Sequence, residues 1–319
     1  MLRVTAGLLA FLTCGGAFAQ GAAWPAKPIR FIVPFPPGSG TDIIARLVGA
    51  KLAENLKQQV VIENRPGAST IIGTEIVAKS APDGYTIIIA SNNHAINSAL
   101  FPKLPYDPVR DFAAVGQLAI LPFILVAHPS LPAKNVRELV ALARTSGGLA
   151  YASTGNGSPP HVAGELLRQS ANIPLTHIPY KGSAAALTDV IAGQVPFMFA
   201  NSLSSIQYIR SGRLRALAVG TKKRIAIAPE LPTVIEQGIA GFDVSLWAGV
   251  LTSAGVPADI IARLNRELIA VLGVPDVKEK LLAEGAEVTP SSADEFGALI
   301  VAEIDRLGKI ARAAKMRVD

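Results

Sequence analysis

Residues 29–56 read IRFIVPFPPGSGTDIIARLVGAKLAENL: a β-rich run, a Pro/Gly turn, then apolar residues at Ile44, Val48, Leu52 and Leu56, each four apart. Strand, tight loop and amphipathic helix follow one another. The loop Pro37-Gly38-Ser39-Gly40-Thr41-Asp42 therefore lies at a strand's carboxyl end and a helix's amino end. Unpaired backbone N–H groups and the positive end of the helix dipole attract an anion there, and glycines let a ligand approach the backbone. A plain helix cap by Thr41 or Asp42 is compatible with this, because a cap uses only some of the free donors.

The same grammar continues outward. QVVIE, a helix from about Thr70 to Lys79 and YTIIIA complete a first set. In the middle of the chain GLAYAST, the turn GNGSPP and HVAGELLRQSA restart it, followed by PLTHIPY, a helix over residues 183–192, VPFMFA, a helix over 202–211 and LRALAVG. Strands alternating with helices imply βαβ units and an α/β fold with parallel sheet. Between the halves, FAAVGQLAILPFILVAHP suits a buried crossing strand, and after Pro232 the helical patterns PADIIARLNRELIAVL and ADEFGALIVAEIDRLGKIARAA return.

Met1 and Arg3, the apolar run Gly7 to Leu12 and Ala17-Phe18-Ala19 form a secretory signal peptide over residues 1–19, expected to be cleaved. Lipid attachment at Cys14 is the rival, but Thr13 stands where a small residue is wanted. Cys14 is the only cysteine, so the mature chain would have no thiol; disulfides, thiol catalysis and Cys-ligated metal are excluded. Half the residues are hydrophobic, which marks a folded globular chain, and its length suits two lobes. The net charge of +6 is scattered: Lys222-Lys223-Arg224 has no interleaved aromatics and reads as a solvated turn, not a nucleic-acid surface. A mild positive field suits small anions.

Ser153-Thr154-Gly155-Asn156-Gly157-Ser158-Pro159-Pro160-His161 repeats the strand–turn–helix arrangement in the second half. Two anion-receptive helix starts facing across a cleft would grip a short dicarboxylate. The first loop, with Gly38-Ser39-Gly40 followed by Thr41, Asp42 and Ile43, spells neither G-x-x-x-x-G-K-[ST] nor G-x-G-x-x-G, which rules out the two commonest nucleotide cradles there. There is no G-x-S-x-G or H-E-x-x-H, and His94, His128, His161 and His177 lack close metal-ligand spacing, so no metal or cofactor is expected. His94 and His161 could donate to a ligand or serve the fold; Tyr180-Lys181-Gly182 offers a phenol and a cation at a strand end; Trp247 reads as a core anchor.

PFPPGSGTDIIARLV, the NRPGAS segment, PDGYTII, STGNGSPPHVAGELL, IPYKGSAAAL, LPTVIEQGIAGFDVSLWAGV and PADIIARLN together resemble the solute-binding receptors of tripartite tricarboxylate transporters, the Bug family. The resemblance implies a two-lobed, Venus-flytrap periplasmic binding protein of type II-like form. Each lobe would be a mixed, mainly parallel sheet flanked by helices, with two chain crossings: residues 20–125 plus 236–319 in one lobe, 126–235 in the other. It implies a monomeric, non-enzymatic receptor for a small organic acid, working with the membrane subunits of a secondary transporter or with a sensor ectodomain. By position, the ligand falls to Pro37 through Asp42 and to Thr154, Gly155, Asn156, Gly157 and Ser158, with support from Ser91, His161, Tyr180 and Asn201. The alternative is an exported hydrolase or transferase pairing Ser39 or Ser158 with His94 or His161. Two departures stand out. Ser39 interrupts what is a triple glycine in many relatives, and Ala200 stands where relatives often carry an acidic residue, which argues against an amino-acid ligand if that position faces the cleft.

Overall fold

The computed structural model describes residues 24–283, 285–314 and 316; the signal peptide and Cys14 lie outside the described residues. The chain opens with β1 (Ile29–Val33), α1 (Gly40–Leu56), β2 (Val60–Asn64), α2 (Ile71–Ala78), β3 (Thr86–Ala90) and α3 (Asn92–Leu100). β1 pairs in parallel with both β2 and β3, the arrangement that helical crossovers enforce. The sixteen-residue strand β4 (Phe112–Ala127) follows, then α4 (Val136–Thr145), β5 (Leu149–Ser153), α5 (Pro159–Ala171), β6 (Leu175–Pro179), α6 (Ser183–Ile191), β7 (Phe197–Asn201), α7 (Ser202–Arg210) and β8 (Arg215–Val219). β5 lies parallel to β6 and β7, repeating the first half. β9 (Ser245–Ser253), α8 (Ala258–Gly273), α9 (Pro275–Ala283), β10 (Glu287–Val288) and α10 (Ala293–Ala313) return to the first sheet.

The two sheets share β4. Its residues 112–122 run antiparallel to β9, and residues 123–127 run antiparallel to β7 and β8. Partners change at Pro122, which has no N–H to donate to a ladder. The strand is buried almost throughout, as its unbroken apolar spelling requires. The expected division after residue 125 thus lies three residues beyond the change of partners.

The return crossing is later than residue 235. Gln237 accepts the Val136 N–H at 2.6 Å through Oε1 and donates through Nε2 to the Leu217 carbonyl at 2.7 Å, so this segment belongs to the second sheet. Val244 N–H still donates to Gly220 O at 2.8 Å; β9 begins the return at Ser245. A buried polar cluster fastens that point. Asn92 Oδ1 accepts the Trp247 N–H at 3.0 Å, Glu303 Oε2 accepts the Trp247 indole N–H at 3.3 Å, and Arg306 donates both to Glu303 and to the Asp243 carbonyl. Trp247 is buried, in agreement with its reading as a core anchor.

α5 carries the second glycine loop and packs on β5 through Gly164. A Cβ at that position would sit 2.1 Å from Tyr151 Cε2, and Tyr151 is itself fully buried. Replacing Gly164 with alanine should therefore lower stability by about 1–3 kcal/mol through overpacking. Urea unfolding reads this as a lower midpoint at unchanged slope; an unchanged midpoint would show that the helix can move off the sheet at no cost.

Candidate functional site

The first glycine loop is held by a carboxylate. Gly38, at φ +77°, occupies the left-handed region that glycine alone enters freely, and its N–H donates to Asp42 Oδ2 at 2.8 Å. The same oxygen accepts Arg46 Nε at 3.0 Å, and Oδ1 accepts Asn64 Nδ2 at 2.8 Å. Burial alone would raise the Asp42 carboxyl, but the hydrogen bonds from Arg46, Asn64 and Gly38 outweigh it and hold the group below its usual range. Ser39 is the N-cap of α1, its Oγ accepting the Asp42 N–H at 3.3 Å. Among the described residues no acceptor meets the N–H groups of Gly40 and Thr41. These are the donors the loop leaves for an anion.

The second glycine loop spends three of its N–H groups on itself and leaves those of Thr154 and Asn156 without an acceptor among the described residues. Gly155 N–H donates to Ser153 Oγ at 3.1 Å, Gly157 N–H to His161 Nδ1 at 3.1 Å, and Ser158 N–H and Oγ both donate to the Gly155 carbonyl. α5 then opens on Pro159 and Pro160, neither of which has an N–H. Both loops leave amide donors, at the helix start in the first and at Thr154 and Asn156, ahead of the helix, in the second. In this half the open helix start belongs instead to α6. Its N-cap Gly182, at φ +100°, makes no side-chain cap, and Lys181 precedes it.

These pieces surround a cavity of 560 Å³, within the ~300–1,000 Å³ usual for ligand pockets. Of the residues expected at a site, Pro37, Gly38, Ser39, Gly40 and Thr41 line it from one side. Thr154, Gly155, Asn156, Ser158, Lys181 and Asn201 line it from the other. Lys181 is the one charged lining residue among those described; no carboxylate, imidazole or thiol lines the cavity. Gly40 must lack a Cβ here, which would meet Leu121 Cδ2 at 2.9 Å and Asn201 Oδ1 at 3.3 Å.

Six expected residues do not line the cavity. Asp42 is the loop's internal strut. His161 accepts the Gly157 N–H and stacks on His177 at 3.7 Å between centroids, so it braces the loop from behind. Gly157 is buried in that brace. Tyr180 turns its hydroxyl to Asp189 Oδ2 at 2.7 Å, which with burial pushes the phenol up to about 12. His94 is buried against Tyr106 and Phe112, its Nε2 2.8 Å from the Pro108 carbonyl. Ser91 stands at the N-cap position of α3, where its carbonyl accepts the His94 N–H while its buried Oγ makes no hydrogen bond among the described residues. Neither histidine faces Ser39 or Ser158, so the pairings required by the hydrolase alternative are not formed. Ala200 is packed in the second sheet's core with Ile124 and Met198 and does not line the cavity, which removes the argument built on its replacing an acidic residue.

The cavity also recruits residues that sequence reasoning did not assign: Gly67 to Thr70, Asn93, Phe123, Ser183, Ala184 and Leu246. Ala68, Ser69 and Thr70 have φ of 45°, 51° and 79°, three consecutive non-glycine residues in the left-handed region, at ~1–2 kcal/mol each. They are held there by Asn97 Nδ2 donating to Ser69 O at 2.8 Å and by Thr74 Oγ1 donating to Thr70 O at 2.9 Å. Ser69 Oγ in turn donates to the Asn156 carbonyl at 3.3 Å, joining the two sides of the cavity. The strand–glycine–helix order of NRPGAS was the available signal for this segment; Asn93 had none.

Burial lowers His94, His161 and His177 to about 4 each, the last also through its neighbour His161. Unfolded imidazoles titrate near ~6.5, so between that value and about 4 the unfolded chain binds more protons and stability falls as pH falls. The melting midpoint should stay level above pH ~7 and drop steadily from ~6.5 downward, before carboxylates titrate. A midpoint level down to pH ~4.5 would contradict the buried, neutral histidines.

The profile described as "Tripartite tricarboxylate transporter family receptor" matches residues 44–316. Protein BugT of Bordetella pertussis is 36% identical over 317 residues, covering 98% of this chain and 97% of that one. Among solved structures, R. palustris Rpa4515 with adipate has a TM-score of 0.87 at 36% identity, over 92% of this chain and 99% of that one. MatC (Rpa3494) from Rhodopseudomonas palustris with bound malate has a TM-score of 0.82 at 32% identity, over 90% and 99%. With the family profile spanning most of its length, the chain belongs to the tripartite tricarboxylate transporter receptor family.

Proposed function

We propose that the protein is a periplasmic receptor that captures a small organic acid between two lobes and hands it to the membrane subunits of a tripartite transporter. The observation that carries this is the unpaired Gly40 and Thr41 N–H pair at the start of α1, opening on a cavity without a lining carboxylate. Backbone donors at a helix start favour an anion without needing an arginine. Adipate and malate in the related receptors are carboxylates of fitting size. The start of α6 with Lys181 supplies a second anion-receptive point on the opposite side.

On this reading the lobes divide at the changes of strand partner: residues up to 122 and from 245 in one, 123–244 in the other. A ligand bridging them supplies the contact energy that favours the closed form, to which the Ser69–Asn156 hydrogen bond also belongs. The receptor is monomeric, leaves its ligand unchanged, and reaches the periplasm by loss of residues 1–19. No helix among the described residues is long and apolar enough to cross a membrane; on this reading the transporter subunits provide the passage.

The test is thermal-shift screening followed by calorimetry of the chain from residue 20 against a carboxylate panel including adipate, malate and citrate. A saturable rise in melting temperature with no new product is expected. Gly38→Val should keep the fold at a cost of ~1–2 kcal/mol. It should weaken binding at least tenfold, ~1.4 kcal/mol, because the strained loop no longer aims its donors. No shift with any carboxylate, steady product release, or full affinity in the valine variant would each defeat this reading.

A further inference from the structure

The floor of the cavity contains an amide that nothing in the protein uses. Asn93, on the first turn of α3, is 6% exposed and lines the cavity. Its neighbours on the same helix are employed. Asn92 donates to the Ser245 carbonyl and accepts the Trp247 N–H, and Asn97 donates to the Ser69 carbonyl. No partner for the Asn93 side chain exists among the described residues. Asn201, 7% exposed and across the cavity, is half employed: its Oδ1 caps α7 by accepting the Ser204 N–H at 2.9 Å, while its Nδ2 has no acceptor.

An amide that opens on a cavity with neither end paired in the protein discriminates among ligands by what they leave unmet once they displace water from it. Asn93 presents two N–H donors and a carbonyl acceptor. A methylene meets neither. A carboxylate would meet the NH2 group but bring its charge against the carbonyl. An ammonium would meet the carbonyl alone, and no lining carboxylate would take up its charge. A hydroxyl meets both, accepting from the NH2 group and donating to the carbonyl.

We infer that Asn93 is a specificity-determining residue that selects hydroxylated carboxylates over their unhydroxylated counterparts. This rests on the reading of the cavity as a carboxylate site: the acid group goes to Gly40 and Thr41, the carbon chain passes Phe123 and Leu246, and a chain hydroxyl reaches Asn93. Replacing Asn93 removes no hydrogen bond of the fold, so its effect is confined to the ligand.

The experiment is calorimetry of the chain from residue 20 with matched pairs: malate and succinate, lactate and propionate, mandelate and phenylacetate. In at least one pair the hydroxylated member should bind about tenfold or more tightly, equivalent to ~1.4 kcal/mol. Asn93→Leu and Asn93→Ala, each checked for an unchanged melting temperature without ligand, should both bring that ratio close to one. Equal affinity within every pair that binds overturns the inference and leaves the carboxylate reading standing, as does a preference that survives both substitutions. Failure of every member of every pair, with no carboxylate in the wider panel binding either, overturns both.

Discussion

The constraint on which the molecule turns is that one strand serves two sheets. β4 commits residues 112–122 to β9 and residues 123–127 to β7 and β8, so neither sheet can be completed without the other's strand in register. A slip of one residue would carry every side chain of β4 to the opposite face. Irregularities at residues 114–116, 117–119 and 125–126 let a strand of this length twist enough to serve both partners. The carboxyl ends of β1 and β3 in one sheet, and of β5 and β7 in the other, thereby open toward a common space. Phe123 and Leu246, on the two strands that meet at the junction, form part of its lining.

Much of this architecture was legible because local chemistry and global fold agree. Helices α6 and α7 begin at Ser183 and Ser202, the residues at which their patterns start, and the crossing strand is the apolar run that spelled it. α3 and β9 were not anticipated, for one physical reason: nearly every residue of each is buried. Periodicity reports a difference between two faces, and an element buried on all sides has none to report. The polar spelling of α3, NNHAINSAL, hid it further; Asn92, His94 and Asn97 are inside because they pair with backbone carbonyls, and Asn93 lines the cavity.

The rim of the cavity was legible as glycine loops and illegible as a list of side chains. Asp42, His161 and Tyr180 belong to or border loops that line the cavity but do not line it themselves, each satisfying a nearby group that burial would otherwise leave unpaired. Residue identity near a loop says that a polar group is present, not which way it faces. The prolines at residues 159 and 160 were in plain view, and their missing N–H groups could have been counted: they remove the first donors of α5 and leave the loop's own Thr154 and Asn156 N–H groups. The two loops therefore offer amides from different places despite their similar spelling, a helix start in the first and the turn itself in the second.

That no carboxylate, imidazole or thiol among the described residues lines the cavity has a consequence for how a receptor of this family responds to acid. Peptide dipoles do not titrate, so the hold that α1 offers an anion does not fade as the medium acidifies. What acidity changes is the cargo, which loses its charge below its own pKa. It also changes the scaffold, through histidines that sit behind the walls and not in them. Capture and endurance are thus governed by separate sets of atoms, and the acid limit of the one is set by the ligand's chemistry while the acid limit of the other is set by the fold's.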